Sequence, residues 1–238
     1  MAILIISISY LKKLAIEVKA LSSKIAESIA QTLEQSIAIK GKATFVVSGG
    51  NSPLEIFHCL NDMPIPWSKI EIILGDDRLL DSTNADSNER LIFENLMINR
   101  ASKARYISLS NPELCPSDLT YPFDVVLLGM GLDGHFASLF PDLLMNTDLF
   151  NINAEQDFYV SDFPLGNPSY RRITMTLSML LNTERCILLV SSDSKRMVLD
   201  QAKEDKSLPV HYLLNPVSYT HLRAHETPEH LVCRLLLE

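Results

Sequence analysis

The 238-residue chain is poor in cysteine, glycine and aromatic residues, and it contains no basic block. Its four cysteines, Cys59, Cys115, Cys186 and Cys233, form no CxxC pair. That excludes a zinc ribbon and a redox dithiol, and it fits a reducing compartment. Lys and Arg number 21 against 29 acidic residues, a formal charge of −8. An acidic chain without clustered positive charge suits neither nucleic acid nor an anionic membrane, so no nucleic-acid or membrane partner is expected. A small anionic ligand remains compatible, because a few local Arg and Lys residues suffice to hold one. The opening apolar run, Met1 to Tyr10, is far shorter than the roughly 20 residues a bilayer requires. It also lacks the basic flank and cleavage pattern of a signal peptide. It reads as a strand, and the protein as cytoplasmic.

With 47% apolar and 21% charged residues, the chain can bury a sizeable core. From Leu14 the apolar positions Leu14, Val18, Leu21, Ile25, Ile29 and Leu33 recur every three or four residues, an amphipathic helix that stops near Gly41. ATFVVS (43–48) then has strand character, and PLEIFHCL (53–60) opens with a proline suited to a first helical turn. The alternation continues with the strand KIEIIL (69–74), the helix SNERLIFENLM (87–97), and the strand FDVVLLG (123–129). A helix is expected near His135, followed by strands RITMTL (172–177) and CILLVSS (186–192) and the helix SKRMVLDQAK (194–203). Continuous apolar strands interleaved with helices predict an α/β fold: a mostly parallel, Rossmann-like open sheet with helices on both faces, in a single domain over residues 1–215. Residues 216–238 break this rhythm and read as foreign to the rest. Pro228 interrupts any helix that would align their histidines, His221, His225 and His230, and no Cys or acidic cluster of matching spacing completes a zinc site, so no metal is expected.

In open α/β sheets ligands bind at the carboxyl ends of strands. Three turns there carry polar chemistry. Ser48-Gly49-Gly50-Asn51-Ser52-Pro53 offers backbone N–H groups and a helix start to an anion, or is an ordinary tight turn. Gly75-Asp76-Asp77-Arg78 places two acids and a guanidinium after a strand, for ligand recognition or as a solvated loop. Gly129-Met130-Gly131-Leu132-Asp133-Gly134-His135 packs three glycines ahead of a histidine that can act as base and acid near neutrality, with Asp133 to orient it. Its G-x-G-x-x-G spacing sits too late in the chain for a dinucleotide fingerprint and lacks the acidic residue about 20 positions on. Arg171, Arg172 and Lys195 add positive charge, whereas His58 and His211 read as packing residues. No G-x-S-x-G, HExxH or Walker lysine motif is present.

SGGNSP (48–53), GDDR (75–78) followed by ADSN (85–88), and LLGMGLDGHFASLFP (127–141) together resemble the 6-phosphogluconolactonase family, in an order and spacing that run from Leu14 to Asn215. The resemblance implies hydrolysis of 6-phosphogluconolactone, a phosphorylated sugar lactone, in the oxidative pentose phosphate pathway without metal or cofactor. It makes His135 the active-site histidine, with Asp133 and Arg78 beside it. It makes Ser48, Gly49, Gly50, Asn51 and Ser52 the sugar-phosphate loop, and adds Asp76, Arg172 and Lys195 as substrate-binding residues. Asp77 stands where the family usually has glutamate, and Gly166-Asn167-Pro168-Ser169-Tyr170 where many members have Lys-Pro-Pro. That leaves open whether Arg171 or Lys195 replaces the lysine. A glucosamine-6-phosphate deaminase-like isomerase shares the architecture but carries D-E-Y and G-H-I-A-F-N-E-P, from which Arg78 and Ala137 to Pro141 depart. A non-catalytic sugar-phosphate-binding protein is the other alternative.

Overall fold

The structure, a computed structural model, describes residues 8–216. α1 (Ile8–Lys40) buries Ile25, Ile29, Leu33 and Ile37, as the spacing predicts. It also takes in Ile8, Ser9 and Tyr10, which overturns the strand reading for those three residues. A short apolar run has no periodicity that separates strand from buried helix, and the helix that follows decides it. Residues 1–7 and 217–238, the latter with His221, His225 and His230, lie outside the described part.

The chain continues through β1 (Ala43–Val47), α2 (Leu54–Leu60), β2 (Ile70–Leu74), β3 (Asp76–Arg78), α3 (Asn88–Asn95), β4 (Arg105–Ile107) and β5 (Val125–Gly129). Then come β6 (Phe158–Val160), β7 (Arg172–Met175), α4 (Leu177–Leu181), β8 (Cys186–Leu189), α5 (Asp193–Gln201) and α6 (Val210–Leu214). Five strands form one sheet in the order β4-β2-β1-β5-β8, every pair parallel. β1 and β8 are buried along their whole length, the mark of a sheet covered on both sides. This is the α/β arrangement the sequence predicts. Among the described residues no helix is long and apolar enough to cross a membrane.

The strand order reverses between β1 and β5. From β1 the chain works outward to β2 and β4, then returns to lay β5 on the other side of β1. Such a reversal opens a crevice at the carboxyl ends of the two strands. Ser48, the residue after β1, clasps it: its Oγ donates to Leu127 O at 2.8 Å and accepts from Gly129 N at 3.2 Å.

Two expectations fail beside this crevice. The RITMTL segment does not join the parallel sheet; β3, β7 and β6 form a second, antiparallel sheet in the order β3-β7-β6. GDDR is accordingly a strand and not a free turn. Gly75 carries the chain from one sheet to the other, its N–H donating to Val47 O and its carbonyl accepting from Met175 N, each at 2.9 Å. Nor does a helix start near His135. The chain folds into short bridges, Met130 to Phe136 and Phe136 to Leu139, and Ala137 has a φ of 46°, which no right-handed helix admits.

Candidate active site

The glycine-rich turn leaves β5 and doubles back at once. Gly131 N donates to His135 O at 2.8 Å, and Gly134 N to Gly131 O at 3.2 Å. The reversal brings His135 Nδ1 to 2.5 Å from Asp133 Oδ1. A Cβ on residue 131 would overlap both the imidazole and this carboxylate, so the pair needs the glycine. Burial pushes the Asp133 carboxyl up, but the hydrogen bond and charge of His135 outweigh it and hold the group below the usual carboxylate value. An ionised Asp133 accepts the Nδ1 proton, which leaves Nε2 as the nitrogen with a free lone pair. The imidazole stacks on Phe140 with ring centroids 4.2 Å apart. Its side chain is 30% exposed, open to a ligand.

The second sheet supplies charge. β3 and β7 pair in a register that sets Arg78 opposite Arg172. Arg172 is 5% exposed. Its Nε and Nη2 donate to Leu165 O at 3.3 and 3.1 Å, and Nη2 donates also to Pro168 O at 3.1 Å. Its guanidinium carbon lies 5.5 Å from the centre of the Phe140 ring. Burial first and the Arg78 charge second lower its pKa, yet a guanidinium stays charged at neutral pH. The segment that stands in place of Lys-Pro-Pro thus braces this arginine. Arg78 donates Nη1 to Asp86 O at 2.5 Å, while its Nε is buried without a partner.

The two adjacent acids do different things. Asp76 faces the cavity and accepts from Ser138 Oγ at 2.5 Å. Asp77 turns away to cap α3, accepting from the backbone N–H groups of Arg78 and Asn88 at 2.7 Å and of Glu89 at 3.0 Å. Burial pushes its pKa up against the lowering effect of these donors.

The third contribution comes from the helix starts. Gly49, Gly50, Asn51 and Ser52 lead from β1 into α2, and Lys195 sits in the first turn of α5, its N–H donating to the Ser192 cap at 3.2 Å. Burial lowers the Lys195 pKa from the ordinary amine value. Arg171 is exposed and donates Nε to Ser161 O, so of the two candidate substitutes for the family lysine it is Lys195 that lines the cavity. Elsewhere, His211 is buried against Ala202 O, whereas His58 is exposed beside Asn95 and is not a packing residue.

Ser48, Gly49, Gly50, Asn51, Ser52, Asp76, Arg78, His135, Arg172 and Lys195 therefore converge on one cavity of about 250 Å³. Asp133 reaches it through His135. The Ser48 hydroxyl is occupied by β5, so its contact there is not a free hydroxyl. Sequence reasoning assigned no site role to Asn88, Gly129, Met130, Gly131 or Ala137, which also line the wall. Asn88 had one signal, its place in the ADSN stretch at a helix start ten residues beyond Arg78. The lining brings Arg78, Arg172 and Lys195 together with Asp76, a set of charged groups suited to a small polar molecule that carries an anion.

The family model described as glucosamine-6-phosphate isomerases/6-phosphogluconolactonase matches residues 17–222. The chain is 32% identical over 206 residues to the 6-phosphogluconolactonase of Pseudomonas aeruginosa, covering 80% of this chain and 85% of that one. It is 33% identical over 215 residues to the Helicobacter pylori 6-phosphogluconolactonase, covering 85% and 90%. A solved 6-phosphogluconolactonase from Shewanella baltica superposes with a TM-score of 0.74 at 33% identity, covering 85% of this chain and 91% of that one. The fold, the convergent cavity and these matches together establish that the chain belongs to the glucosamine-6-phosphate isomerase/6-phosphogluconolactonase family.

Proposed function

We propose that the protein hydrolyses 6-phospho-D-glucono-1,5-lactone to 6-phospho-D-gluconate, the lactone-opening step of the oxidative pentose phosphate pathway, in the cytoplasm. The observation that carries this reading is the His135–Asp133 pair opening onto the same cavity as two facing guanidinium groups. The relatives named 6-phosphogluconolactonase support the substrate, and the free thiols of Cys59, Cys115 and Cys186 suit a reducing compartment.

His135 Nε2 takes a proton from water as the water oxygen attacks the lactone carbonyl. Asp133 keeps the Nδ1 proton in place and stabilises the imidazolium that forms. The tetrahedral intermediate then collapses, the bond to the ring oxygen breaks, and His135 returns its proton to that oxygen. Arg78, whose buried Nε lacks a partner, stabilises the developing oxyanion. The Gly49–Ser52 turn, Arg172 and Lys195 hold the 6-phosphate, and that remote contact orients the carbonyl.

The test is hydrolysis of freshly generated 6-phosphogluconolactone measured against its spontaneous background, with the product acid identified by NMR. Acceleration is expected, with no ammonia from glucosamine 6-phosphate. Ammonia release would replace this reading by the isomerase one. Tight binding of 6-phosphogluconate without any acceleration would replace it by a sugar-phosphate-binding role.

A further inference from the structure

Asn88 begins α3 and is 3% exposed, and its side chain is held from two directions. Its Nδ2 donates to Asp76 O at 3.0 Å, which fixes the orientation of the carboxamide. Its own backbone N–H donates to Asp77 Oδ1 at 2.7 Å, which fixes the start of the helix. The remaining atom, Oδ1, is buried with no hydrogen-bond partner. That carbonyl sits against the Cα of Gly49, so closely that a Cβ at residue 49 would overlap it, and both residues line the cavity. The glycine of the phosphate-loop candidate thus also leaves room for Asn88 to reach the wall.

A buried acceptor left unpaired is costly, so it is kept where a ligand completes it. One Nδ2 proton is committed to Asp76 O, and the atom left without any partner is the acceptor Oδ1. A phosphate or carboxylate oxygen has no proton to donate, whereas a sugar hydroxyl has. We infer that Asn88 is a substrate-binding residue, its Oδ1 accepting a hydrogen bond from one ring hydroxyl of the sugar and thereby selecting hydroxylated over deoxygenated substrates. This deepens the lactonase reading and rests on it for the identity of the sugar. Asp76, adjacent through the Nδ2 bond, supplies a second acceptor on the same wall. The Asp76–Asn88 part of the lining therefore reads the polyol part of the ligand.

The experiment compares kcat/KM for the 6-phosphogluconolactone with that for its 2-deoxy, 3-deoxy and 4-deoxy counterparts, in the native protein and in the isosteric variant Asn88→Leu. The native protein should lose about 10- to 100-fold on one of the three analogues. Asn88→Leu should lose a similar factor on the parent and show little further loss on that one analogue. The inference is overturned if the native protein treats all three analogues within about twofold of the parent, or if Asn88→Leu slows the parent and every analogue by one common factor, the sign of a structural role. Should Asn88→Leu fold poorly, Asn88→Ala is read the same way. Calorimetric binding of 6-phosphogluconate and its deoxy counterparts reads the same contact without turnover. Hydroxyl discrimination in binding without any hydrolysis would sink the lactonase reading and keep Asn88. Hydrolysis without discrimination would do the reverse.

Discussion

Arg78 and Arg172 stand directly opposite one another in the antiparallel pairing of β3 with β7. Like charges facing each other across a sheet repel, and burial of Arg172 deepens the cost. On the proposed function, the substrate's anionic group enters between these cationic groups and stabilises the arrangement. Saturating 6-phosphogluconate should therefore raise the unfolding midpoint, by about 2.7 kcal/mol of added stability at 100 times Kd. Differential scanning fluorimetry with and without the ligand checks it, and Arg172→Ala should lose most of the shift.

Arg172→Lys should behave like Arg172→Ala and not like the native protein. The guanidinium donates from Nε and Nη2 to Leu165 O and Pro168 O, a fork that an ammonium cannot reproduce. Both variants should raise KM by about 10- to 100-fold, with a smaller effect on kcat. A native KM in Arg172→Lys would show that charge alone suffices.

Gly131→Ala should lower kcat by about 10- to 1000-fold, because the new Cβ displaces the imidazole from Asp133. The residues proposed to hold the phosphate are untouched, so affinity for 6-phosphogluconate should hold. Isothermal calorimetry beside steady-state kinetics separates the two, and native turnover in this variant would contradict the geometry described for the pair.

The alkaline side of the pH profile should follow Lys195. Burial lowers its pKa, so its charge is complete below that lowered value and is lost as pH rises through it, earlier than for a solvated lysine. KM should climb on the alkaline side, and Lys195→Arg should flatten the climb, since arginine stays charged there. An unchanged climb in Lys195→Arg would assign it to another group.

Much of the fold was legible because each buried strand of the main sheet is a near-continuous apolar run, and such runs mark a covered parallel sheet. The glycine clusters and the isolated His135 were legible for a similar reason: few residue types can occupy those positions. What escaped depends on long-range pairing. Nothing local in GDDR shows that it will be a strand, because its partner, Arg172–Met175, lies nearly a hundred residues on. The turn after His135 reads as a helix start until the positive φ of Ala137 and the bridge to Leu139 are seen. Asn88 lies within ADSN at a helix start, a position that marks it without giving it a role. Its meaning lies in an unpaired oxygen, which only the packing against Gly49 reveals.

The most direct test of the account is the rate of 6-phosphogluconolactone hydrolysis above its spontaneous background in His135→Asn beside the native protein, with 6-phosphogluconate affinity measured on both. The expected result is a fall in kcat of about 10²- to 10⁴-fold with affinity largely retained, as befits loss of a general base. Hydrolysis at the native rate in His135→Asn would contradict the assignment of His135 as the base, and with it the mechanism built on the Asp133 pair.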